Sequence, residues 1–284
     1  MVTLKDYEGG PTAWCPGCGN FSILLAVKRA MVEMNLEPYQ VLIVSGIGQA
    51  GKLPHYMRCN TLNALHGRGV PEAIGAKLAN HELKVIVVGG DGDGYGEGGN
   101  HFMHAILKNI DITYIVHDNQ IYGLTKGQAS PTSDKGFVTK TTPEGVISLP
   151  FNPIALAISL GATFVSRGFA GEVDHLVELI KKAVQHRGFA LVDVLQPCVT
   201  FNKLNTWEWY RKRVYKLEST DYDPIDKTLA FQKAFEWGDK IPIGVIYKSD
   251  RSTFDEQIPA LKYGTLVKQK IDPLACEKIL DEFM

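Results

Sequence analysis

The chain has 284 residues, 45% of them hydrophobic, a net charge of −1 and five cysteines. That is enough apolar material for one large α/β domain or slightly more. The near-neutral charge argues against a nucleic-acid or membrane-surface binder, no apolar run reaches the length of a membrane span, and no basic start followed by an apolar core marks a secretory leader. An odd number of cysteines in a chain of this size does not suggest a secreted disulfide framework, so a reducing cytoplasm is the expected setting.

In chain order, residues 21–36 carry apolar side chains at helical spacing, and 41–45 (VLIVS) read as a short buried strand. A helix is predicted over 71–81, a strand over 85–88, a helix over 97–109 and a strand over 112–116. The segment from Tyr122 to Leu149 is rich in Gly, Thr, Ser, Pro and Lys and reads as a long functional loop. A helix (153–160), a strand (163–166), a helix (172–186) and a strand (190–195) follow. Strands alternating with helices predict an α/β fold, a mostly parallel sheet with helices on both faces. Beyond residue 200 the pattern loosens, and IPIGVIY (241–247) fits either an added strand or part of an extended arm. Two units are expected: 1–200, which holds the motifs below, and 201–284, a C-terminal arm packing on that domain or on a partner.

The richest stretch runs from Gly89 to Gly123. An apolar strand ends in GGDGD, and a second ends in Asp118-Asn119. If these strands are parallel neighbours, Asp91 and Asn119 meet at one sheet edge and present two hard oxygen ligands to one crevice. Such a pair suits Mg²⁺, which takes few protein ligands plus phosphate oxygens. The peptide carbonyl of Ile121 is a plausible third ligand, and Gly92 and Asp93 are expected along a diphosphate. The glycines do not set G-x-G-x-x-G, which weighs against a dinucleotide turn, and the strand before them does not fit an EF-hand. Taken alone, Asn119 reads as a turn cap before Tyr122-Gly123.

Two further motifs stand out. Trp14-Cys15-Pro16-Gly17-Cys18-Gly19-Asn20 is a C-x-x-C pair open to zinc, an iron–sulfur cluster or a redox disulfide. No second close pair supports zinc, whereas a cluster can recruit a distant cysteine such as Cys198, at the end of VDVLQPC. Ser45-Gly46-Ile47-Gly48-Gln49-Ala50-Gly51-Lys52 is a glycine-rich turn after a strand; its spacing rules against a P-loop, but Lys52 brings a positive charge. His66, in LHGRG, earns no role by itself.

The GDG…N pattern resembles the signature of enzymes that use thiamine diphosphate. WCPGCGN (14–20), SGIG with GK (45–52), LHGRG (65–69), GGDGD (89–93), HDNQIYGLTKGQASPT (117–132) and DVLQPC (193–198), in this order, resemble the β subunit of the archaeal-type 2-oxoacid:ferredoxin oxidoreductases. EWG with IPIGV (236–245) extends the resemblance, whereas 250–284 resemble the family only weakly.

The resemblance implies a thiamine diphosphate-binding fold holding the coenzyme's diphosphate, Mg²⁺ and one [4Fe–4S] cluster. It implies a separate α chain, often fused to a γ part, that completes the active site. The implied reaction is coenzyme A-dependent oxidative decarboxylation of a 2-oxoacid (pyruvate, 2-oxobutyrate or 2-oxoglutarate) to an acyl-CoA, with electrons passed to ferredoxin. By resemblance Asp91, Asn119 and the Ile121 carbonyl bind Mg²⁺. Ile47, Gly48, Gln49, Ala50, Gly92, Asp93, Gly123 and Leu124 line the coenzyme with His66 nearby, Lys52 acts near the substrate or the developing charge, and Leu124 borders the substrate pocket.

Cys15, Cys18 and Cys198 match three cluster cysteines, but Gln49 stands where the family has another. The fourth corner is then expected to fall to Gln49 or a water beside it, to Cys59 swinging in, or to no ligand, with an iron lost or the cluster not assembled; Cys276 is expected to pack. The competing readings are a thiamine-dependent decarboxylase or transferase subunit without a redox cluster, and a regulatory subunit that passes no electrons.

Overall fold

The computed structural model describes residues 1–270 and 273–283, without the side chains at 273, 275, 276 and 278, so the packing expected of Cys276 lies outside the described residues. The first half of the chain runs α1 (Asn20–Glu33), β1 (Val41–Ser45), β2 (Asn60–Asn63), α2 (Gly69–Ala79), β3 (Lys84–Gly90), α3 (Gly99–Lys108) and β4 (Thr113–Asp118). A two-strand hairpin follows, β5 (Ile121–Tyr122) with β6 (Gln128–Ala129), then α4 (Pro153–Ser159), β7 (Phe164–Phe169), α5 (Val173–Gln185) and β8 (Ala190–Leu195). The remainder is α6 (Trp207–Arg211), β9 (Val214–Lys216), α7 (Lys227–Ala234), β10 (Ile241–Lys248) and α8 (Pro273–Asp281). No helix among the described residues is long and apolar enough to cross a membrane.

Eight strands form one sheet in the order β2–β1–β3–β4–β8–β7–β10–β9. Every neighbour pair is parallel except β10 with β7. The central strands are apolar on both sides because helices cover both faces. Ile43, Ile86, Ile115 and Val192 pack with Ile23, Val27, Leu176 and Ile180 of α1 and α5. The alternate residues Val44, Val87, Tyr114 and Leu191 pack with Val70, Phe102 and Ile158 of α2, α3 and α4.

Several local details differ from the hydrophobic pattern. Helix α1 stops at Glu33 because Asn35 takes a left-handed conformation (φ 52°) and turns the chain. The helix predicted from residue 97 starts at Gly99, after a π-type turn over Gly92–Glu97. Strand β2 is exposed and polar, so no alternation announces it. IPIGVIY is a strand, β10, whose antiparallel pairing with β7 carries the sheet across the residue-200 boundary.

The parallel order has one consequence for chemistry. The carboxyl ends of β1, β3, β4 and β8 open on one edge, where the loops bearing Gln49, Asp91, Asn119 and Cys198 emerge.

Candidate active site

Asp91 follows β3 and Asn119 follows β4, and β3 and β4 are paired neighbours. The Asp91 carboxylate is buried and accepts from the Thr132 hydroxyl at 2.7 Å. The same hydroxyl lies 2.7 Å from Asp118 Oδ1. One hydroxyl has one proton, so one of the two carboxyls must carry a proton as well. Burial, reinforced by the nearby Asp193 and Asp91 charges, pushes Asp118 well above the usual carboxylate range, which favours it over Asp91 as the proton carrier. Burial also raises Asp91, to about 6.

Asp193 lies in the middle of β8, where it accepts from Tyr95 at 2.8 Å and faces the Arg167 Nε at 3.5 Å. The Arg167 guanidinium stands over the Trp237 ring and lines a cavity of about 270 Å³ with Asp118 and Asp134. Asp91, Asp93, Asp118 and Asp193 are thus four buried carboxyls, of which Asp193 faces the buried Arg167 guanidinium and Asp93 faces His66. The edge is short of positive charge, which is what a divalent cation would supply. Among the described residues no three acidic, His or Cys side chains are grouped as a metal site. A centre built on one carboxylate, one amide oxygen and one peptide carbonyl is not such a group.

Asn119 makes the Asx turn that its sequence allows: Oδ1 accepts from the Ile121 backbone N–H at 3.0 Å. Its Nδ2 donates to Gln196 Oε1 at 3.0 Å, which fixes the amide with its oxygen on the Ile121 side. Between them Gln120 is left-handed (φ 57°) and buried. It is held there by bonds from Nε2 to the Thr132 carbonyl (2.7 Å), from Ser133 Oγ to its own carbonyl (2.6 Å) and from the Tyr210 hydroxyl to Oε1 (3.2 Å). Strain held by this many partners fixes the turn that joins Asn119 to the Ile121 N–H.

The glycines divide into two kinds. A Cβ on Gly92 would meet Tyr122 Cε1 at 2.2 Å, one on Gly94 the Tyr114 hydroxyl at 2.0 Å, and one on Gly46 the Asp93 carboxylate at 2.0 Å. These three serve internal packing. Gly48 (φ +123°) has nothing within 4 Å of such a Cβ, and Gly123 has only Gln49 Cγ at 4.0 Å, so here backbone faces open space of the kind a diphosphate fills.

The Asp93 carboxylate is turned to the chain itself. Oδ1 accepts from the Ile47 N–H (2.9 Å), the Gly67 N–H (2.8 Å) and His66 Nδ1 (2.9 Å), tying three loops together. Burial raises Asp93 and these donors oppose the rise. Lys52 sits in the short helical segment after Gln49 and Ala50, and Leu124, half exposed, sits in the hairpin between β5 and β6.

Three of the cysteines line one cavity, although among the described residues no three Cys side chains are grouped as a metal site. Cys15, Cys18, Cys198 and Gln49 line one cavity with Trp14, Asn119 and Gln196. The C-x-x-C turn closes by Cys18 N–H to the Cys15 carbonyl (3.0 Å), and Gly19 N–H reaches the Pro197 carbonyl (3.3 Å), so it docks on the end of β8. Burial, with Cys198 and Cys15 nearby, pushes the Cys18 thiol up to about 11 in the ligand-free chain. Cys59 does not line this cavity; it packs against the core below β1, where burial pushes its thiol up to about 12. To serve as the alternative ligand it would have to leave this packing.

Thr132, Gln120, Asp118, Asp193, Arg167 and Gln196 escaped sequence reasoning. A charged residue inside an apolar strand, as in ALVDVL or FVSRGF, was the available signal.

Residues 45–194 match the family described as thiamine pyrophosphate enzyme, C-terminal TPP binding domain, and 198–263 match the family described as the C terminal of the pyruvate ferredoxin oxidoreductase beta subunit. A 2-oxoacid:ferredoxin oxidoreductase subunit beta from Saccharolobus solfataricus is 52% identical over 86% of this chain and 85% of its own length. A 2-oxoglutarate synthase subunit KorB from Archaeoglobus fulgidus is 36% identical over 89% of this chain and 90% of its own. Among solved structures, the 2-oxoglutarate:ferredoxin oxidoreductase from Magnetococcus marinus, with 2-oxoglutarate, coenzyme A and succinyl-CoA bound, superposes with a TM-score of 0.91 at 39% identity, covering 98% of this chain and 96% of that one.

Proposed function

We propose a division of tasks among the residues of this chain, which belongs to the family of 2-oxoacid:ferredoxin oxidoreductase β subunits. Its thiamine diphosphate domain takes the diphosphate half of the coenzyme, Asp91, Asn119 and the Ile121 carbonyl hold Mg²⁺, and Cys15, Cys18 and Cys198 hold an iron–sulfur cluster. An α chain, with or without a fused γ part, completes the site; coenzyme A accepts the acyl group, ferredoxin takes the electrons, and the setting is cytoplasmic. When bound, thiamine diphosphate supplies the electron sink for decarboxylating a 2-oxoacid and the cluster supplies one-electron transfer.

The observation that carries this reading is the shared sheet edge. Asp91 and Asn119 follow neighbouring strands, Asn119 lines the cavity that three cysteines also line, and Gln196 bonds both Asn119 and Cys18. The protein's own work follows from the geometry. Gly48 and Gly123 offer open backbone to the diphosphate. Asp93 holds the Ile47 and Gly67 loops in place around it. The β5–β6 hairpin presents Leu124 at the substrate side, and Lys52 brings positive charge near the substrate or the developing charge. Gln196 Nε2 points at the Cys18 sulfur at 3.5 Å, a hydrogen bond that favours thiolate over thiol.

A second reading is favoured by one residue. Gln49 in place of a thiol fits a thiamine-dependent decarboxylase or transferase subunit with no redox cluster. Iron and acid-labile sulfide are measured on the anaerobically purified complex with its α chain, with electron paramagnetic resonance before and after adding a 2-oxoacid and coenzyme A. The redox reading expects iron, sulfide and a substrate-dependent signal; a complex that binds thiamine diphosphate but holds no iron establishes the second reading instead.

A further inference from the structure

The cavity beside β8 contains three thiols, yet a cubane cluster takes four ligands. The polar side chains on its wall are nearly all engaged. Asn20 Oδ1 is bonded to His117, Asn119 to Ile121 and Gln196, and Gln196 to Asn119, the Pro197 carbonyl and Cys18. Thr200 faces solvent. Gln49 is different: its Oε1 is buried and has no hydrogen-bond partner. A buried carbonyl oxygen left unpaired is costly, and Gln49 Oε1 faces the three-thiol cavity as a free acceptor for a ligand. The residue is also fixed in place, because Trp14 Nε1 donates to its backbone carbonyl at 2.8 Å and Trp14 packs edge-on against Phe21 and Tyr56.

We propose that the Gln49 carboxamide oxygen is the fourth ligand of the iron–sulfur cluster, so that one iron in the cubane is oxygen-bound, weakly held and exchangeable. The proposal rests on the cluster reading above. A neutral oxygen in place of a thiolate leaves the site one negative charge lighter, which raises the reduction potential relative to a four-thiolate cluster. Oxygen is also the poorer ligand for a soft iron–sulfide core, so this corner is where iron leaves. The step balances without an oxidant: the oxidised cubane releases one Fe²⁺ and keeps its four sulfides in a neutral three-iron core. A one-electron oxidant such as ferricyanide then takes that core to its paramagnetic form. Adding Fe²⁺ and a reductant reverses both steps.

The test uses the anaerobically purified complex with its α chain. It is incubated with ⁵⁷Fe²⁺, freed of unbound iron and examined by Mössbauer spectroscopy, beside Q49C and Q49A. One iron in four is expected to exchange in the native protein and to show an oxygen-ligated subsite. Ferricyanide is expected to give a three-iron signal that Fe²⁺ with reductant removes. Q49C should lose the exchange, and Q49A should be isolated mostly in the three-iron form. Four non-exchanging irons in the native protein would mean that a thiolate from elsewhere fills the corner, and the proposal fails. An exchanging iron whose spectrum is unchanged in Q49A would make water the ligand, and Gln49 is then wrong. No iron in a complex that still binds thiamine diphosphate overturns the cluster reading itself, a different result from either of these.

Discussion

Replacing Asp91 by asparagine should stabilise the cofactor-free protein while abolishing its response to Mg²⁺ and thiamine diphosphate. Burial raises the Asp91 carboxyl from 3.8 to about 6, and that difference corresponds to about 3 kcal/mol of unfavourable interaction in the ionised, folded state. The sign follows from linkage. The folded value lies above the unfolded one, so this group favours the fold most below pH 3.8 and loses that contribution as pH rises through about 6. At pH 7.5 the carboxylate is ionised and buried, with hydrogen bonds that only partly offset the burial. Asparagine keeps an oxygen for the Thr132 hydroxyl without the charge. The variant, stripped of cofactor, should therefore melt higher at pH 7.5, by on the order of 5–10 °C for a chain of this length. The difference between variant and native protein should shrink towards pH 4.5. Mg²⁺ with thiamine diphosphate should raise the melting temperature of the native protein and leave the variant unmoved. In the native protein, Mg²⁺ must displace the proton below about pH 6, so affinity should fall about tenfold per pH unit there. Differential scanning calorimetry of both proteins at the two pH values decides it. A variant less stable than the native protein at pH 7.5, or one that still gains stability from the cofactors, refutes the argument.

Other substitutions test separate parts of the edge. G92A puts a Cβ 2.2 Å from Tyr122 Cε1 and should displace the β5–β6 hairpin, lowering both stability and coenzyme binding, whereas G48A meets no atom within 4 Å. G48A should cost about 1–3 kcal/mol of backbone strain and weaken coenzyme binding beyond what that strain accounts for; calorimetry beside a coenzyme titration separates the two, and equal binding losses with equal stability losses would contradict the open-cradle reading. R167M strands Asp193 and should destabilise the protein by about 3–5 kcal/mol, with R167M/D193N recovering most of it; denaturant unfolding reads the recovery, and none would mean that the pair is not the cause. Q196L removes the donor to Cys18 and the acceptor for Asn119, so a potentiometric titration should find a lower cluster potential and a titration calorimeter weaker Mg²⁺ binding; a change in neither leaves Gln196 as packing.

Much of this was legible from local pattern. The parallel core follows from apolar runs such as VLIVS and KVIVVGG, each bounded by glycine, and the neighbouring placement of Asp91 and Asn119 follows once β3 and β4 are parallel. What stayed hidden was made by contacts distant in sequence. Thr132 lies in a loop with no regular period and reaches Asp91, 41 residues away, and Tyr95 reaches Asp193, 98 residues away. Strand β2 has no buried face to create an alternation, since all four of its residues are exposed. Glycine was legible as a requirement but not as a reason: Gly92 and Gly94 give way to tyrosine rings, and Gly48 alone of the three fronts open space.

The two ligand pockets are also less separate than their motifs. Asn119 Nδ2 donates to Gln196 Oε1, and Gln196 Nε2 is directed to Cys18 Sγ, so two hydrogen bonds connect the amide beside the carboxylates to a sulfur of the three-thiol cavity. An amide cannot rotate at one end of such a chain without losing its bond at the other. With Asn119 Oδ1 held on the Ile121 side and Nδ2 on Gln196, the Gln196 donor stays on Cys18. A cation at the proposed Asp91–Asn119 site would thus hold the hydrogen bond that favours the Cys18 thiolate. Four buried carboxyls are tolerable in this folded chain because each has its own partners: the Thr132 hydroxyl for Asp91 and Asp118, His66 and two backbone N–H groups for Asp93, and Tyr95 with Arg167 for Asp193.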